Sequence, residues 1–235
     1  KSSIKFLATT PLIQGDGTFT CVVLPYTQLY VFHALLKNGV SYPVLYCLVR
    51  GKTQAMYTRL LDLVENIAKE QDLTIFDRPV RLMVDFEKSF HNAVQKYQAG
   101  RRLSCCFFHF VSNIKKATTP IINGLKKTMG KGSPHVLQAE KLKRVLMMLP
   151  LLPVEVITPE NVGLLFFLLR PACREHASDF DDLYSYIINN YVAQNARFQK
   201  QIWCVCGQAI HNKQCRREFP RGPQHLRACE RGCFA

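Results

Sequence analysis

The sequence predicts an α/β protein in which a mixed sheet is covered by helices. The stretch from Ile4 to Val49 favours strands, and three apolar segments within it are separated by turn residues: Phe19–Leu24, Leu29–Leu35 and Val44–Leu48. Helical and strand-like segments then alternate as far as His109. Consecutive strands favour an antiparallel meander, whereas alternating helices and strands favour parallel pairing, so the two patterns together predict a mixed sheet.

The alternating part is predicted from hydrophobic periodicity. A helix over Thr53–Lys69, with Thr53 as its N-cap, has apolar residues at helical spacing, and Asp62 and Glu65 fall among its polar positions. The segments that follow are a strand at Val80–Val84, a helix at Phe86–Tyr97 ended by Gly100, and a strand at Leu103–Phe108.

A second, helical part follows the predicted sheet. Its expected helices are Val111–Met129, Val136–Leu149, Pro159–Leu169 and Phe180–Ala193, and no periodicity holds after Trp203. We therefore predict a core over residues 1–130, a helical insertion over 131–203 and an irregular, Cys- and Arg-rich tail over 204–235 that packs poorly.

Composition indicates a globular protein with a polyanionic partner. Hydrophobic residues make up 48% and charged residues 20% of the 235-residue chain, which excludes a disordered protein. The net charge of +14 favours nucleic acid over the alternative of a merely solvated basic surface. Because the chain starts at Lys1 and not at Met, we expect a fragment or an incomplete gene model.

Cysteine usage and hydropathy bear on the compartment. Five of the ten cysteines lie among core-type residues and are expected to be reduced and buried, which predicts an intracellular protein: Cys21, Cys47, Cys105, Cys106 and Cys173. The apolar run Leu164–Leu169 is too short to cross a bilayer, so we expect no membrane association.

Two aspartates are the candidate catalytic residues. Asp16 stands before the first predicted strand and Asp85 closes the strand at Val80–Val84, so neighbouring strands would bring both carboxylates to one crevice. Paired carboxylates are costly without a cation, and Mg²⁺ or Mn²⁺ suits them. The alternative is that both are turn or cap residues. Glu87 is either a supporting group of the site or, as we prefer, a first-turn residue of the next helix.

Cys106 and His109 form a Cys-x-x-His step where a strand gives way to a helix. This is half of a zinc site, but no matching pair precedes it, so we expect packing or shaping of the site instead of zinc binding. His109 at the start of a helix is also placed to contact phosphate.

Several motifs together resemble the transposase domain of Mutator-like elements, the MULE family, over roughly Ile13 to Trp203. The matching motifs are Asp16-Gly17-Thr18-Phe19, the segment Pro43–Leu48, Lys52-Thr53 with Tyr57, Asp85-Phe86-Glu87, and Cys106 with His109.

The resemblance implies a ribonuclease-H-like fold with a helical insertion, a catalytic Asp-Asp-Glu triad and cut-and-paste DNA strand transfer in the nucleus. Asp16 and Asp85 match the first two acids. A homo-oligomer is compatible with it. The basic residues expected to contact DNA are Arg101, Arg102, Lys115, Lys116, Lys126 and Lys127.

The third acid of the family pattern is missing at its expected place. It should follow Trp203 in a Thr-Asn-Asn-x-x-Glu type of helix start, but the chain continues with cysteines and arginines, and Glu218 and Glu230 sit in no such motif. We hypothesise that the tail is out of frame. Shifting Cys215–Arg231 by one nucleotide, with permitted codons, can read Asn-Ser-Arg-Glu-Gly, a sequence that resembles the missing motif.

Two interpretations therefore stay open. The first is a MULE-type transposase catalytic domain, metal-dependent by family but decayed or incomplete and inactive as written. The second is a non-catalytic DNA-binding remnant or domesticated module with a zinc-binding tail. The tail has ample ligands, but their spacing argues against zinc: Cys204, Cys206, His211, Cys215, His225, Cys229 and Cys233.

Overall fold

The computed structural model describes residues 2–18, 22–36 and 39–207. Phe19, Cys21 and the tail beyond Gly207 lie outside these residues, and with them Glu218, Glu230 and most of the suggested zinc ligands. The chain divides into two compact units, Lys1–Cys106 and Phe107–Ala235. The predicted division at residues 130 and 203 stays a prediction.

The first unit is an α/β domain with a mixed sheet, as predicted. Its described strands are β1 (Leu12–Thr18), β2 (Gln28–Leu35), β3 (Ser41–Val49), β4 (Arg81–Val84) and β5 (Leu103–Cys105). They are arranged in the order β3-β2-β1-β4-β5. The first three are antiparallel neighbours, whereas β4 pairs parallel with both β1 and β5. The change from antiparallel to parallel pairing therefore falls between β1 and β4.

Three helices accompany this sheet: α1 (Ser2–Thr9), α2 (Gln54–Lys69) and α3 (Lys88–Val94). The hydroxyl of Thr53 accepts a hydrogen bond from the backbone N–H of Met56, which confirms the predicted N-cap of α2. A 3₁₀ turn at Gln98–Arg102 leads into β5. Apolar side chains of the sheet and helices form one buried core that includes Phe32, Leu61 and Phe76.

Three predictions for this unit differ from the structure in the type or the bounds of an element. The described strand here is Leu12–Thr18; of the predicted strand Phe19–Leu24, residues 19–21 lie outside the described residues, and Val23 and Leu24 lie in an exposed turn. Residues 2–9 form a helix and not a strand, because Ile4 and Leu7 at helical spacing are both buried in the core. The helix predicted at Phe86–Tyr97 ends earlier, at Val94.

The strand predicted at Leu103–Phe108 also ends earlier, at Cys105. The backbone N–H of Cys106 still donates to the carbonyl of Val84, and the next residue begins a helix. The apolar residues Phe107, Phe110 and Val111 are buried at helical spacing, which explains why the segment is helical despite its high strand propensity.

The second unit is helical in its described part. Its helices are α4 (Phe107–Met129), α5 (Pro134–Met148), α6 (Pro159–Leu169), α7 (Ala177–Ile187) and α8 (Lys200–Trp203). A π-helical turn at Ile188–Val192 follows α7. Trp203 is fully buried, stacked on Phe110 and edge-on to Tyr191, and its indole N–H donates to the carbonyl of Phe198. These rings join the end of the described chain to the core of this unit.

Within the described residues, no helix is long and apolar enough to cross a membrane. The cysteines described are free thiols: Cys105, Cys173 and Cys204 are buried, Cys47 and Cys106 are half-buried, and Cys206 is exposed.

Candidate active site

The two candidate aspartates lie near the C-terminal ends of two neighbouring inner strands, β1 and β4. Asp16 is the fifth residue of β1, and Asp85 directly follows β4. The parallel register pairs Leu12 with Arg81 and Gln14 with Met83, a constant offset of 69 residues (81 − 12 and 83 − 14). Extending that register by two residues places Asp85 opposite Asp16, since 85 − 16 is also 69. Adjacent strands are about 4.8 Å apart, so the two backbones are close neighbours here.

Alternation along β1 and β4, continued to Asp85, assigns both aspartates to the same side of the sheet. Side chains alternate along a strand, so Asp16 shares its face with Gln14, and Asp85 shares its face with Met83. The Gln14 and Met83 side chains meet, with 3.8 Å between Nε2 and Sδ. Asp16 is exposed and Asp85 is half-buried. The main chain also holds Asp85, because its Oδ1 accepts a hydrogen bond of 2.6 Å from the N–H of Phe86.

Gly15 allows the side chain of Tyr30 to pack closely against β1 near Asp16. A Cβ at Gly15 would stand 2.5 Å from the hydroxyl oxygen of Tyr30, which is buried and stacked on Phe90 with 5.1 Å between ring centroids. The glycine before Asp16 is therefore needed for the close approach of an aromatic ring, not only for a turn. With Gly17, Asp85 and Glu87, these residues line a small pocket.

A buried polar chain runs from β2 to Glu87. The amide nitrogen of Gln28 donates to the hydroxyl oxygen of Tyr57 at 2.8 Å, and the Tyr57 hydroxyl donates to Oε2 of Glu87 at 2.8 Å. Glu87 stands at the N-cap position of α3, but its side chain makes no capping hydrogen bond. Glu87 was expected in the first turn of the helix, and it lies directly before that turn. Its carboxylate, however, accepts a hydrogen bond from Tyr57 of α2.

The charges near Tyr30 show how acidic this pocket is. Burial raises the pKa of Tyr30 well above its usual value, and Tyr57, Asp16, Glu87 and Asp85 raise that pKa further. Burial also raises the pKa of Tyr57, so both phenols stay protonated at neutral pH. Three carboxylates therefore act electrostatically on one buried ring.

His91 holds the backbone of Asp85. Its Nε2 lies 2.8 Å from the carbonyl oxygen of Asp85 and 3.9 Å from the Cys105 sulfur. Burial lowers the pKa of His91, and the hydrogen bond to Asp85 opposes that shift. A neutral imidazole with its proton on Nε2 donates to the Asp85 carbonyl, so His91 positions the residue that carries the second acid.

The remaining predicted site residues fall in both units. Cys106 is the last residue of the first unit; it is half-buried, and its N–H donates to the carbonyl of Val84. Burial raises the pKa of the neighbouring Cys105, and Asp85 and Cys106 raise that pKa further. His109 lies in the first turn of α4 in the second unit, with its ring edge-on to Phe108. Their joint role in shaping the site stays a prediction.

The predicted DNA-contacting residues are also divided. Arg101 and Arg102 are exposed at the 3₁₀ turn of the first unit. The four lysines lie on α4 in the second unit, where Lys116 and Lys127 are exposed, Lys115 is half-buried, and Lys126 forms a 2.9 Å ion pair with Glu140. Their role in DNA binding stays a prediction.

Sequence reasoning missed Gln28, Tyr30 and His91 as parts of this site. Tyr57 was noted only as part of a family motif. The available signal was the phase of β2, where Gln28 and Tyr30 alternate in step with the buried Phe32 and Ala34. A glutamine on the buried side of a strand requires a hydrogen-bond partner, and Tyr57 is that partner.

The site therefore lies in an α/β domain whose acids gather where parallel β1 and β4 end. Residues 12–113 match the model of the MULE transposase domain family. This part of the chain is therefore similar to MULE transposase domains, and the match supports a transposase-type function. No curated protein and no solved structure matches the chain.

Proposed function

We propose that this domain binds DNA and belongs to the metal-dependent enzymes that cut a DNA strand and transfer it to a new site. The observation that supports the proposal is the parallel register of β1 and β4, because its offset, continued two residues past the pair Gln14 and Met83, brings Asp16 opposite Asp85 inside the MULE-matched segment. The sheet order and the change to parallel pairing between β1 and β4 support a ribonuclease-H-like assignment, with the helices of the second unit as an insertion.

The donor set suits a hard divalent cation. Mg²⁺ and Mn²⁺ take oxygen ligands and are bound by one or two carboxylates together with substrate phosphates. Asp16 and Asp85 would supply the protein ligands. Within the described residues, no group of three or more His, Cys, Asp or Glu side chains is arranged to hold a metal, so substrate oxygens and a further acid are needed to complete the shell. When bound there, such cations would supply activation of water and stabilisation of the leaving oxygen.

The other residues of the pocket keep the two acids in place. Gly15 lets Tyr30 pack beneath β1, and His91 fixes the main chain of Asp85. Tyr57 holds Glu87 beside them. We propose that Glu87 adds negative charge to the pocket from this fixed position and so favours the cation-bound state.

We further propose that the chain as written is inactive or nearly so, because the third acid of the family pattern is absent where it is expected after Trp203. This is the decayed or incomplete form of the enzyme. Its alternative is a DNA-binding module without chemistry, and the missing acid motif is the observation that favours it. We propose a nuclear localisation for either form.

The test compares four proteins in a DNA nicking and strand-transfer assay with Mg²⁺ or Mn²⁺. They are the chain as written, a frame-restored version, and the restored version with Asp16→Asn or with Asp85→Asn. We expect metal-dependent activity only in the restored version. Asp77→Asn is the matched control, because Asp77 pairs with Lys69 on the surface away from the pocket.

Activity that survives Asp16→Asn, or a restored version that binds DNA but never cuts it, contradicts the catalytic proposal. Equal, metal-dependent activity in the restored and unrestored chains contradicts only the inactivity, and it directs attention to Glu218 or another acid as the third ligand.

A further inference from the structure

The face of the sheet that carries Asp16 continues as an exposed apolar strip across β2 and β3. Asp16 pairs with Val31, and Val31 pairs with Tyr46. In the next row, Thr18 pairs with Leu29, which pairs with Leu48. Directly paired residues project from the same face, so Tyr46 and Leu48 lie on the Asp16 side of the sheet. Tyr46 is two strand spacings from Asp16, about 10 Å.

This strip is open to solvent. Tyr46 is 61% exposed and Leu48 is 51% exposed, while their partners on the adjacent strand β2, Val31 and Leu29, are half-buried. The result is an apolar surface from which the aromatic side chain of Tyr46 projects. An exposed contiguous patch of this kind marks an interaction site more often than a scattered surface residue does.

A positive charge ends the strip. Arg50 follows Tyr46 and Leu48 at two-residue steps and is exposed. Its guanidinium stacks on the ring of Tyr26, 5.6 Å from the centroid. Stacking fixes the plane of the guanidinium while leaving N–H groups for a phosphate. Along the strip, an acid that would repel phosphate is therefore followed by an aromatic ring and then by a held cation.

We propose that this strip, formed by Leu29, Val31, Tyr46, Leu48 and Arg50, binds an unpaired segment of a DNA strand, with a base stacked on Tyr46 and a phosphate at Arg50. The inference rests on the proposed function, since it assigns the surface on which the DNA strand lies after it leaves the site at Asp16. Only an unpaired base that is not stacked within a duplex can stack on an exposed ring. Such stacking does not depend on the identity of the base.

A second copy of the chain suits this surface less well. Interface cores are depleted in charged residues, whereas this strip has Asp16 at one side and Arg50 at its end. Pro43 in the edge strand β3 has no N–H to offer a strand from another chain. Together with a net charge of +14, these features favour nucleic acid as the occupant.

The test is fluorescence anisotropy of the full chain with a labelled single-stranded thymidine oligonucleotide, in EDTA so that no metal chemistry takes part. Tyr46→Ala should weaken binding about five- to hundred-fold, the range typical of losing one stacked base. Tyr46→Phe should bind like the unchanged chain, because the ring that stacks is kept. Arg50→Ala should weaken binding and reduce its salt dependence.

Tyr42 is the matched control. It lies on the same edge strand and is 59% exposed, but it pairs with Ala34, which faces the opposite, core side of the sheet. Tyr42→Ala should leave binding unchanged. Equal losses in the Tyr42 and Tyr46 variants, or none in either, overturn the proposal. So does a Tyr46→Ala variant that binds DNA normally but loses self-association by light scattering, because the occupant is then a second copy.

The outcome is independent of the catalytic test. Asp16→Asn with Asp85→Asn should bind single-stranded DNA in EDTA at least as tightly as the unchanged chain, because the charge that repels phosphate is removed and the strip is kept. A chain that never cuts DNA but shows the Tyr46 effect retains the strip and loses only the catalytic proposal. A chain that cuts DNA yet shows no Tyr46 effect does the reverse.

Discussion

Tyr57 of α2 reaches the start of α3 and donates a 2.8 Å hydrogen bond to the carboxylate of Glu87. The same phenol oxygen accepts from Gln28, so one hydroxyl joins β2, α2 and the acidic pocket. Both Tyr57 and Gln28 are buried, and a polar group that loses its partner there is not rescued by water.

Tyr57→Phe should therefore lower the free energy of unfolding by roughly 1–3 kcal/mol, since it removes the partner of two groups while keeping the ring. Urea denaturation measures this change. Tyr42→Phe, at an exposed position, serves as the control and should change stability little. Equal stability of the Tyr57→Phe variant and the unchanged chain would mean that this hydroxyl contributes nothing.

Gly15→Ala should destabilise the first unit. The added methyl group would meet the hydroxyl of Tyr30, whose ring is confined between Phe32 and Phe90. Overpacking of this kind costs about 1–3 kcal/mol. Gly132→Ala is the control, because a Cβ there meets nothing within 4 Å. Calorimetric melting should show a loss for Gly15→Ala alone, and similar melting temperatures for the two variants would refute the steric argument.

Stability should fall as the solution becomes acidic, in part through His91. Burial lowers the folded-state pKa of His91 below the ordinary value of about 6.5. Below pH 6.5 the unfolded chain therefore takes up a proton that the folded chain does not. The free energy of unfolding is unaffected above that pH and decreases as the pH drops further.

The measurement for His91 is the urea midpoint at pH 7.5 and at pH 5.5. The unchanged chain should lose more stability between these values than His91→Gln does. Part of the effect will persist in the variant, because burial also lowers the pKa of His33, with Asp16 opposing. An identical pH dependence in both proteins would contradict the assignment.

DNA binding by α4 should depend on Lys116 and Lys127 more than on Lys126. The exposed pair is 11 residues apart, about three helical turns, so both lysines lie on one face of the helix. Lys126 is already paired with Glu140. Each phosphate contact that is removed should lower the slope of log K against log salt by about 0.9 on duplex DNA.

Filter-binding or anisotropy titrations from low to high salt test the lysines. Lys116→Ala and Lys127→Ala should each weaken affinity and reduce the slope, whereas Lys126→Ala should do so less. Affinity that is insensitive to salt, or a larger loss for Lys126→Ala than for its neighbours, would place the DNA elsewhere.

Local signals allowed most helices to be predicted. The N-cap Thr53 and the apolar face of α2 were sufficient to identify that helix, and Pro159 at the first turn placed the start of α6 correctly. These signals lie within one or two turns of the residues they determine. Tertiary contacts were not needed to recognise them.

The errors arose where tertiary contacts override local preference. Gly15, Asp16 and Gly17 are poor strand formers, yet they belong to β1 because Gly15 leaves room for Tyr30 and because all three residues pair with β2. Glu65 was expected among the polar positions of α2 but is buried, with its carboxylate accepting from the N–H groups of Ile75 and Phe76. Periodicity alone does not reveal such partners.

That buried carboxylate has a consequence for how this protein can vary. Glu65 fixes the chain at Phe76, and Asp85 must fall opposite Asp16 on the correct face of the sheet nine residues later. Inserting or deleting a single residue within β4 would turn Asp85 to the other face, because side chains alternate along the strand. A change in the length of β4 would therefore move this acid away from Asp16 even if every buried side chain of the strand were kept.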